Sequence, residues 1–448
     1  MIETAVRGGT VVTAAGTRRA DVGINGGRIA SVGDVGAAAA EIDATGLLVL
    51  PGCVDLHTHL ASTPSWTPLD GFETGTRAAI AGGVTTVVSM VYQEDGSLRR
   101  GVERAFRDAA PSIADYAFHI VVTDPSASAI GELPALVAEG HAGLKVFMVM
   151  PQFAERTNDF LRLYVGARVN GMVVAVHAED HATIARATAS LYAHGTTAAR
   201  SFPESRPVEA EVIAVQQAIE HTAITGASLY LVHLSSRRAV AAVALAKARG
   251  APLFGETRPL YLYLTREQFE REDAALWIGQ PPLREQQDVD ALWAALAAGS
   301  LDTVATDHIP RTRAQKLAPG LAFDKIPPGV SNLETLLPML YSEGVRKDRL
   351  TVERLVDVLA TTPARIAGLR GKGEIAVGKD ADLVLFDPER TRTIAASELH
   401  SAADYDPYEG WSVTGWPRTV LLRGEIAYDG EIRASAGSGQ FTPRSPLP

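Results

Sequence analysis

The order of apolar and polar positions divides the chain into a β-rich start, an alternating middle and a β-rich end. Residues 1 to about 50 alternate short β-like runs with turn pairs such as Gly8-Gly9 and Asn25-Gly26. A similar texture returns in 381–386 and 419–426. Because each β-rich end is too small to stand alone, we expect both ends to share one core as a discontinuous β-sandwich.

In the middle of the chain, strand-like and helix-like segments alternate, which is typical of a parallel sheet covered by helices. Helical patterns occupy 73–81, 97–110, 208–225, 237–249 and 286–298. The strand candidates are 53–57, 84–90, 115–122, 142–149, 172–177, 228–233, 252–256 and 301–306. Eight strands are what a TIM barrel requires, so the predicted fold class is α/β, a (β/α)8 TIM barrel with the β-sandwich beside it.

These elements predict four regions along the chain. Residues 1–50 form the first part of the sandwich, 51–368 the barrel, and 369–433 the second part of the sandwich. Residues 434–448 form a C-terminal tail. Because the tail is rich in Ser, Gly and Pro, we expect it to be mobile or to form an arm on a neighbouring subunit.

Composition narrows the class of protein. The 448 residues are 46% hydrophobic and 21% charged, which is ordinary globular usage. A formal net charge of −10 disfavours nucleic acid and anionic membranes as partners. The single cysteine, Cys53, excludes an intramolecular disulfide and fits a reducing compartment. The sequence shows no signal-peptide pattern and no apolar stretch of the length a membrane helix needs, so we expect a cytoplasmic protein.

Candidate metal ligands stand at the ends of the predicted barrel strands. His57 and His59 lie two residues apart, so on a strand both imidazoles face the same side and can reach one metal ion. Alone, this pair could equally be two polar residues at a strand end. His177, His233 and Asp307 follow three further strands. Since the carboxyl ends of barrel strands meet at one rim, five such residues there favour a shared metal site.

A buried lysine adds a second chemical signal. Lys145 lies in the otherwise apolar run 143–148. Burying its charged ammonium group would be costly, so the sequence predicts that something satisfies or removes this charge.

Several ordered motifs carry a family resemblance. The chain resembles the amidohydrolase superfamily and, within it, the cyclic amidohydrolases: hydantoinase, dihydropyrimidinase, allantoinase and dihydroorotase. The matching segments are 51–59, 72–79, 82–86, 176–179, 232–236, 255–257, 281–284, 306–308 and 378–384. They extend over nearly the whole chain and include both the proposed ligands and the returning β domain.

The resemblance implies a binuclear zinc centre, with two Zn²⁺ ions per subunit. It places His57 and His59 on one ion and His177 and His233 on the other. It also implies that Lys145 is carboxylated by carbon dioxide to a carbamate that bridges both ions. That chemistry needs a neutral amine, and a desolvated site lowers the pKa of a lysine.

The resemblance further implies that Asp307 completes the shell of the first ion and acts as the catalytic base. A metal-bridging hydroxide would attack the amide carbonyl, and Asp307 would pass the proton to the leaving ring nitrogen. Glu179 is an alternative bridging carboxylate, but we expect it to support His177 instead. His119 and His308 are candidates to orient ligands or carbonyls, with structural roles left open.

The substrate motifs depart from the family pattern at one position. Met150 stands where hydantoinases and dihydropyrimidinases carry a tyrosine, and a thioether cannot donate a hydrogen bond. Either another donor such as Tyr192 or Arg258 replaces it, or the substrate differs from a simple hydantoin. The segment 60–64 lacks the arginine of dihydroorotases, so that activity is disfavoured.

Other substrate contacts follow by position. Two segments could wall a pocket for an apolar substituent, or they could pack as ordinary loops: 62–72, with Trp66 and Leu69, and 150–153, which begins with Met150. The positions whose backbone holds the ring amide in relatives match Gln280, Ser331 and Asn332.

These observations favour a zinc-dependent hydrolase that opens a small cyclic amide of the hydantoin or dihydropyrimidine type. The alternatives are an allantoinase or another cyclic-imide hydrolase, and a noncatalytic dihydropyrimidinase-like scaffold protein. The intact set of candidate ligands argues against the scaffold. The resemblance also implies a homo-oligomer, a tetramer or a dimer.

Overall fold

The barrel stands at the centre of the computed structural model, which describes residues 2–447. Its strands are β8 (Cys53–Thr58), β9 (Val84–Tyr92), β10 (Asp115–Val121), β11 (Gly143–Phe147), β12 (Val173–His177), β13 (Ser228–Leu231), β14 (Leu253–Thr257) and β15 (Thr303–Val304). They pair in chain order, and every strand pair is parallel. A parallel bridge between Thr58 and His308 joins the first strand to the segment after the last. The predicted TIM barrel is confirmed.

Helices cover the barrel between its strands. They are α1 (Phe72–Ala81), α2 (Leu98–Ala109), α3 (Ala127–Gly131), α4 (Leu133–Ala138), α5 (Pro151–Glu155), α6 (Thr157–Val169), α7 (His181–Ala193), α8 (Phe202–Ser205), α9 (Val208–Thr225), α10 (Arg237–Ala248), α11 (Pro259–Tyr263), α12 (Gln286–Ala298), α13 (Arg313–Lys316), α14 (Leu336–Leu340), α15 (Val352–Val356) and α16 (Thr362–Ala367). Tyr341–Val345 and Asp357–Thr361 are π-helical turns that continue α14 and α15.

Local chemistry fixes where the helices near the barrel rim begin and end. The side chains of Asp180 and Ser236 accept hydrogen bonds from the backbone N–H groups of Thr183 and Ala239 at the starts of α7 and α10. Helix α9 ends at Gly226, whose φ of 67° is a left-handed conformation that glycine adopts without a steric penalty. The short loops that follow β12, which ends at His177, and β13, whose loop carries His233, therefore lead into helices with defined starts.

Strands from both ends of the chain build the sandwich. The N-terminal strands are β1 (Ile2–Arg7), β2 (Thr10–Thr13), β3 (Gly16–Arg19), β4 (Asp21–Asn25), β5 (Arg28–Gly33), β6 (Ala38–Asp43) and β7 (Leu48–Pro51). The C-terminal strands are β16 (Leu383–Thr393), β17 (Ser412–Leu422) and β18 (Glu425–Tyr428). One sheet has the order β5-β4-β1-β6 and the other β18-β17-β16-β7-β2-β3. Because β7 and β16 pair antiparallel, the predicted discontinuous β domain is confirmed.

The tail contradicts the expectation of a mobile segment or an arm on a neighbour. Its backbone pairs with the barrel of its own chain: the N–H of Tyr116 donates to the carbonyl of Gln440 at 2.9 Å, and the N–H of Thr442 donates back to Tyr116 at 2.8 Å. Arg444 is buried and donates to the carbonyls of Ala367 and Phe118. A polar, Pro-rich composition does not reveal such pairing, because the bonds come from the backbone and one inserted side chain.

A buried ion cluster joins the barrel to the sandwich at the amino ends of the strands. Lys372 Nζ lies 2.5 Å from Asp115, 2.7 Å from Asp382 and 3.0 Å from Asp380. Arg423, next to β17, also binds Asp115. The charges in this cluster therefore have partners of opposite sign.

Within residues 2–447, no helix is long and apolar enough to cross a membrane.

Candidate active site

Two histidines and an aspartate meet at the carboxyl end of the barrel. His57 lies in β8 and His59 follows it, and both side chains are buried. Their Nε2 atoms face the same oxygen, Oδ1 of Asp307, at 3.3 Å and 3.1 Å. One ligand atom from each residue lies within 4.8 Å of the other two. This is the spacing expected of ligand atoms that bind the same metal ion. The spacing expected from the sequence is thus present in three dimensions.

His177 and His233 extend this cluster across the barrel. Their ring centroids are 4.5 Å apart, and the ring of His233 lies 5.5 Å from that of His57. His233 and Asp307 both have a left-handed backbone, with φ of 44° and 50°. Such backbones are uncommon outside glycine and often occur at functional sites.

Lys145, in β11, is buried without a partner. Its Nζ has no hydrogen-bond acceptor among the described residues and lies 5.0 Å from the ring centroid of Phe147. Burial lowers the pKa of Lys145 to about 8. An unpaired amine in the barrel interior is costly, so a ligand or a modification is expected there.

The protonation of the cluster suits a metal ion. Burial holds the pKa values of His57, His59, His177 and His233 below that of a free imidazole, so these rings are neutral, as metal ligands must be. Burial alone would raise the pKa of Asp307, but nearby Arg258 and the histidines outweigh it and keep that carboxylate ionised. Neutral imidazoles beside an anionic oxygen form a donor set that zinc-like divalent ions prefer.

Two buried carboxylates hold the histidines from behind. Glu256, in β14, lies 2.9 Å from Nδ1 of His57 and accepts hydrogen bonds from the N–H of His233 and the hydroxyl of Tyr230. With the proton on Nδ1, Nε2 of His57 is free to face a metal ion. Burial raises the pKa of Glu256 to about 7.

Glu179 supports His177 in a similar way. Its Oε2 lies 2.8 Å from Nε2 of His177 and 2.5 Å from Arg206. Although burial opposes ionisation, Arg206 and His177 lower the pKa of Glu179 to about 2. This carboxylate therefore orients one ring and is itself neutralised by a guanidinium, as a supporting acid would be.

The other histidine candidates lie away from the cavity. Nε2 of His308 is 2.9 Å from Asp70, and its Nδ1 accepts the backbone N–H of Asn332. His119 is enclosed in the barrel, where its Nδ1 lies 3.2 Å from Arg444. Both nitrogens of His308 are therefore bound by protein groups, which favours a structural role, whereas Nε2 of His119 has no hydrogen-bond partner among the described residues.

A cavity of about 260 Å³ opens above the ligand cluster. Its walls away from the cluster are mainly apolar and include Trp66, Val149, Met150, Ile309 and Pro328, while Tyr92 contributes a phenol hydroxyl. Arg258, Gln280 and Arg311 supply polar groups. A small cavity with apolar walls and few polar groups is typical of an enzyme site for a small molecule.

Comparison with known proteins agrees with this geometry over the whole chain. The family model of the Amidohydrolase family matches residues 48–427. The chain belongs to the amidohydrolase family. A D-hydantoinase of Streptomyces coelicolor is 38% identical, covering 99% of this chain and 98% of its own. A D-phenylhydantoinase of Escherichia coli is 36% identical, with coverage of 99% and 98%.

Solved structures agree with this amidohydrolase in fold. A dihydropyrimidinase from Brevibacillus agri has a TM-score of 0.96 at 38% identity and covers 100% of both chains. An L-hydantoinase from Arthrobacter aurescens has a TM-score of 0.92 at 29% identity, with coverage of 99% and 100%. The relatives thus include proteins named D-hydantoinase and one named L-hydantoinase.

The amidohydrolase cavity includes only some of the predicted substrate residues. Trp66, Met150 and Gln280 line it. Ser331 and Asn332 are buried beside it but do not line it, and the amide of Asn332 donates to the carbonyl of Thr306 at 3.1 Å. Tyr192 is exposed and binds Asp324, so it cannot replace the missing tyrosine.

Sequence reasoning missed several supporting residues of this amidohydrolase site. Glu256 appeared only as part of a motif, although its position at the end of a barrel strand could have identified it. Arg206 and Arg311 lie in loops without a periodic pattern, so no signal in the sequence connects them to the site.

Proposed function

We propose that this amidohydrolase opens a cyclic amide ring of the hydantoin or dihydropyrimidine type, using two zinc ions bridged by carboxylated Lys145. The observation that carries the proposal is the cluster of His57, His59 and Asp307 in a chain that is similar over its full length to D-hydantoinases. The product would be an N-carbamoyl acid or a related open-chain acid.

The proposed ligands form two groups. His57, His59 and Asp307 would hold one ion, and His177 and His233 would hold the other. The amine of Lys145 would attack carbon dioxide, forming an N–C bond and releasing a proton. The resulting carbamate would offer two oxygens to the two ions. The unpaired, buried Nζ supports this step, because the carbamate replaces a costly cation with an anion that has partners.

The side chains around the ions divide the remaining work. When bound, the ions would supply an activated water and polarise the amide carbonyl. Asp307 would accept a proton from the water as its oxygen bonds to the amide carbonyl carbon, and would deliver that proton to the ring nitrogen as the C–N bond breaks. Glu256 and Glu179 would keep the imidazoles of His57 and His177 in the orientation that binding needs. The apolar walls of the cavity would exclude competing water.

The proposed quaternary state is a homo-oligomer, a dimer or a tetramer. Helices α6 and α9 pack together and carry exposed aliphatic side chains, with Val169 and Ile224 76% and 72% exposed. Covering these side chains with a second copy of the chain would remove apolar surface from water, which supports the proposal. Light scattering of the purified chain tests this proposal, and a cytoplasmic location stays a prediction.

The experiment that tests the proposed function combines metal analysis with a substrate panel. We expect close to two zinc ions per chain and ring opening of at least one of hydantoin, dihydrouracil, allantoin and succinimide. Opening of allantoin alone, or of succinimide alone, would support the alternative hydrolases. A metal-free chain of full stability that opens none of the four would contradict an enzymatic role.

The role of Asp307 has its own test. Asp307→Asn keeps the shape of the side chain but removes its basicity, so we expect kcat to fall about 10²- to 10⁴-fold while much of the metal stays bound. Metal analysis of the same sample separates lost basicity from lost ligation. Full turnover by the variant would exclude Asp307 as the base.

A further inference from the structure

Arg258 is a buried cation with unused hydrogen-bonding capacity. It follows β14, lines the cavity and has no exposed surface. Its Nη1 donates to Oδ2 of Asp307 at 2.9 Å. Its Nε and Nη2 have no partner among residues 2–447. Leaving two such donors unpaired inside a protein is costly, so the site is complete only when an acceptor binds.

The two unused donors have a specific geometry. Nε and Nη2 lie on the same edge of the planar guanidinium group. Two parallel N–H groups at this spacing match the two oxygens of a carboxylate better than a single carbonyl oxygen. A guanidinium with a free edge therefore points to a bidentate, anionic acceptor.

The fold keeps space for this guanidinium. A Cβ atom at Gly279 would lie 3.2 Å from Nη1 of Arg258, closer than most such contacts, so any side chain there would crowd the group. On another side, the ring centroid of Tyr261 is 5.5 Å from Cζ of Arg258. The hydroxyl of Tyr261 donates to the carbonyl of Pro281, which fixes the ring in place. Arg258 is thus positioned by its neighbours.

The charge around the cavity is unbalanced. Arg311 also lines it, with Cζ 4.6 Å from the ring centroid of Trp66, and makes no salt bridge within the described chain. The carboxylate that lines the cavity, Asp307, is assigned to a metal ion in the proposed function. The cavity therefore favours a negatively charged guest.

We propose that Arg258 determines substrate specificity by binding a carboxylate that the cyclic amide carries as a substituent. The inference rests on the proposed function, because it concerns the choice among rings that this site opens. The substrate class is then a five-membered cyclic ureide or imide with a carboxylate on the ring or one methylene away from it.

The test compares two substrates that differ only in charge: hydantoin-5-acetic acid and its primary amide. For the wild-type chain with its metal, we expect kcat/KM to be at least about 10-fold higher for the acid, mainly through a lower KM. Arg258→Gln should reduce the acid-to-amide ratio about 10- to 100-fold, and Arg258→Lys should retain part of it. Metal content is measured for each variant.

Arg313→Gln is the matched control. Arg313 begins α13, two residues after Arg311, but it is exposed, and its Cζ lies 5.6 Å from the ring centroid of Tyr405. The acid-to-amide ratio should therefore not change in this variant. Equal use of acid and amide by the wild-type chain would overturn the inference. So would a proportional loss of both in Arg258→Gln, since a residue that only holds Asp307 would affect both rings alike.

The wild-type comparison decides the question even if the variants fail to fold. If the wild-type chain opens hydantoin but shows no preference for the acid, only this inference fails. If it opens no ring at all, the proposed function fails first.

Discussion

The two ends of the barrel each bury a lysine, and the two lysines have opposite surroundings. At the amino end, Lys372 is held by Asp115, Asp380 and Asp382. At the carboxyl end, Lys145 has no hydrogen-bond partner within residues 2–447. A buried charge with full pairing is explained by structure, whereas one without pairing requires another partner. The difference locates the site independently of any motif.

The same contrast extends to the histidines. His57 and His59 face one carboxylate oxygen and leave their Nε2 atoms available to an ion. His308 is bound on both ring nitrogens by protein groups. Residue type alone does not separate these cases, but the direction of the free nitrogen does.

The largest expected effect comes from Lys145→Ala. The change removes the proposed bridge, so we expect the zinc content to fall well below two per chain and turnover to fall to the assay background. A short carboxylate such as acetate or propionate should restore part of both. Elemental analysis and kcat with and without the added acid measure this. Unchanged zinc in Lys145→Ala would contradict the carbamate.

Lys372→Met should change stability and leave chemistry intact. It leaves the buried carboxylate of Asp382 without a cation and Asp115 with Arg423 alone, which costs about 3–5 kcal/mol of unfolding free energy. Zinc content and kcat of the folded variant should match those of the wild type. Urea unfolding followed by circular dichroism measures the loss of unfolding free energy. A loss of zinc in this variant would contradict the contrast between a structural lysine at the amino end and a metal-site lysine at the carboxyl end.

The loss in Lys372→Met should also depend on pH. Burial raises the pKa of Asp382, and Lys372 opposes that shift, so its removal raises the pKa further. A group whose pKa is raised on folding stabilises the fold below its unfolded pKa and loses that contribution as pH rises. The variant should therefore lie closest to the wild type near pH 4 and furthest from it near pH 7.

A smaller effect is expected for Glu256→Gln. This variant tests whether the carboxylate behind His57 contributes to metal binding at the carboxyl end of the barrel. The amide oxygen can still accept a hydrogen bond from His57, but it carries no charge. We expect zinc affinity to fall about 10- to 100-fold, measured by competition with a chelator, and most of the stability to remain. An unchanged affinity would show that Glu256 does not hold His57 for the metal.

Much of the fold is predictable from the sequence because its patterns are local. The bounds of α9 and α12 agree with the predicted 208–225 and 286–298, and β8 begins at Cys53 as predicted. The strand before Asp307, Thr303–Val304, is much shorter than the predicted 301–306, although the residues on both sides of it still bond to the backbone of β14. The predicted ligands lie together because each lies in a barrel strand or within a few residues of its carboxyl end.

The supporting contacts were not predictable because they join distant loops. Arg206 reaches Glu179, and Arg258 reaches Asp307, across turns without apolar periodicity. The contacts of the tail were hidden for a related reason, since Gln440 and Thr442 bind through their backbones. Sequence patterns report burial along one element, whereas these contacts depend on how separate elements meet.

The pairing of β7 with β16 has a consequence for biosynthesis. On the ribosome, Leu48–Pro51 is made long before Leu383–Thr393, the strand that covers its edge. Until that later strand emerges, the nascent chain presents an open strand edge rich in apolar side chains, which is prone to intermolecular association. Yield of the native protein should therefore depend on chaperone supply and growth temperature more than its final stability suggests.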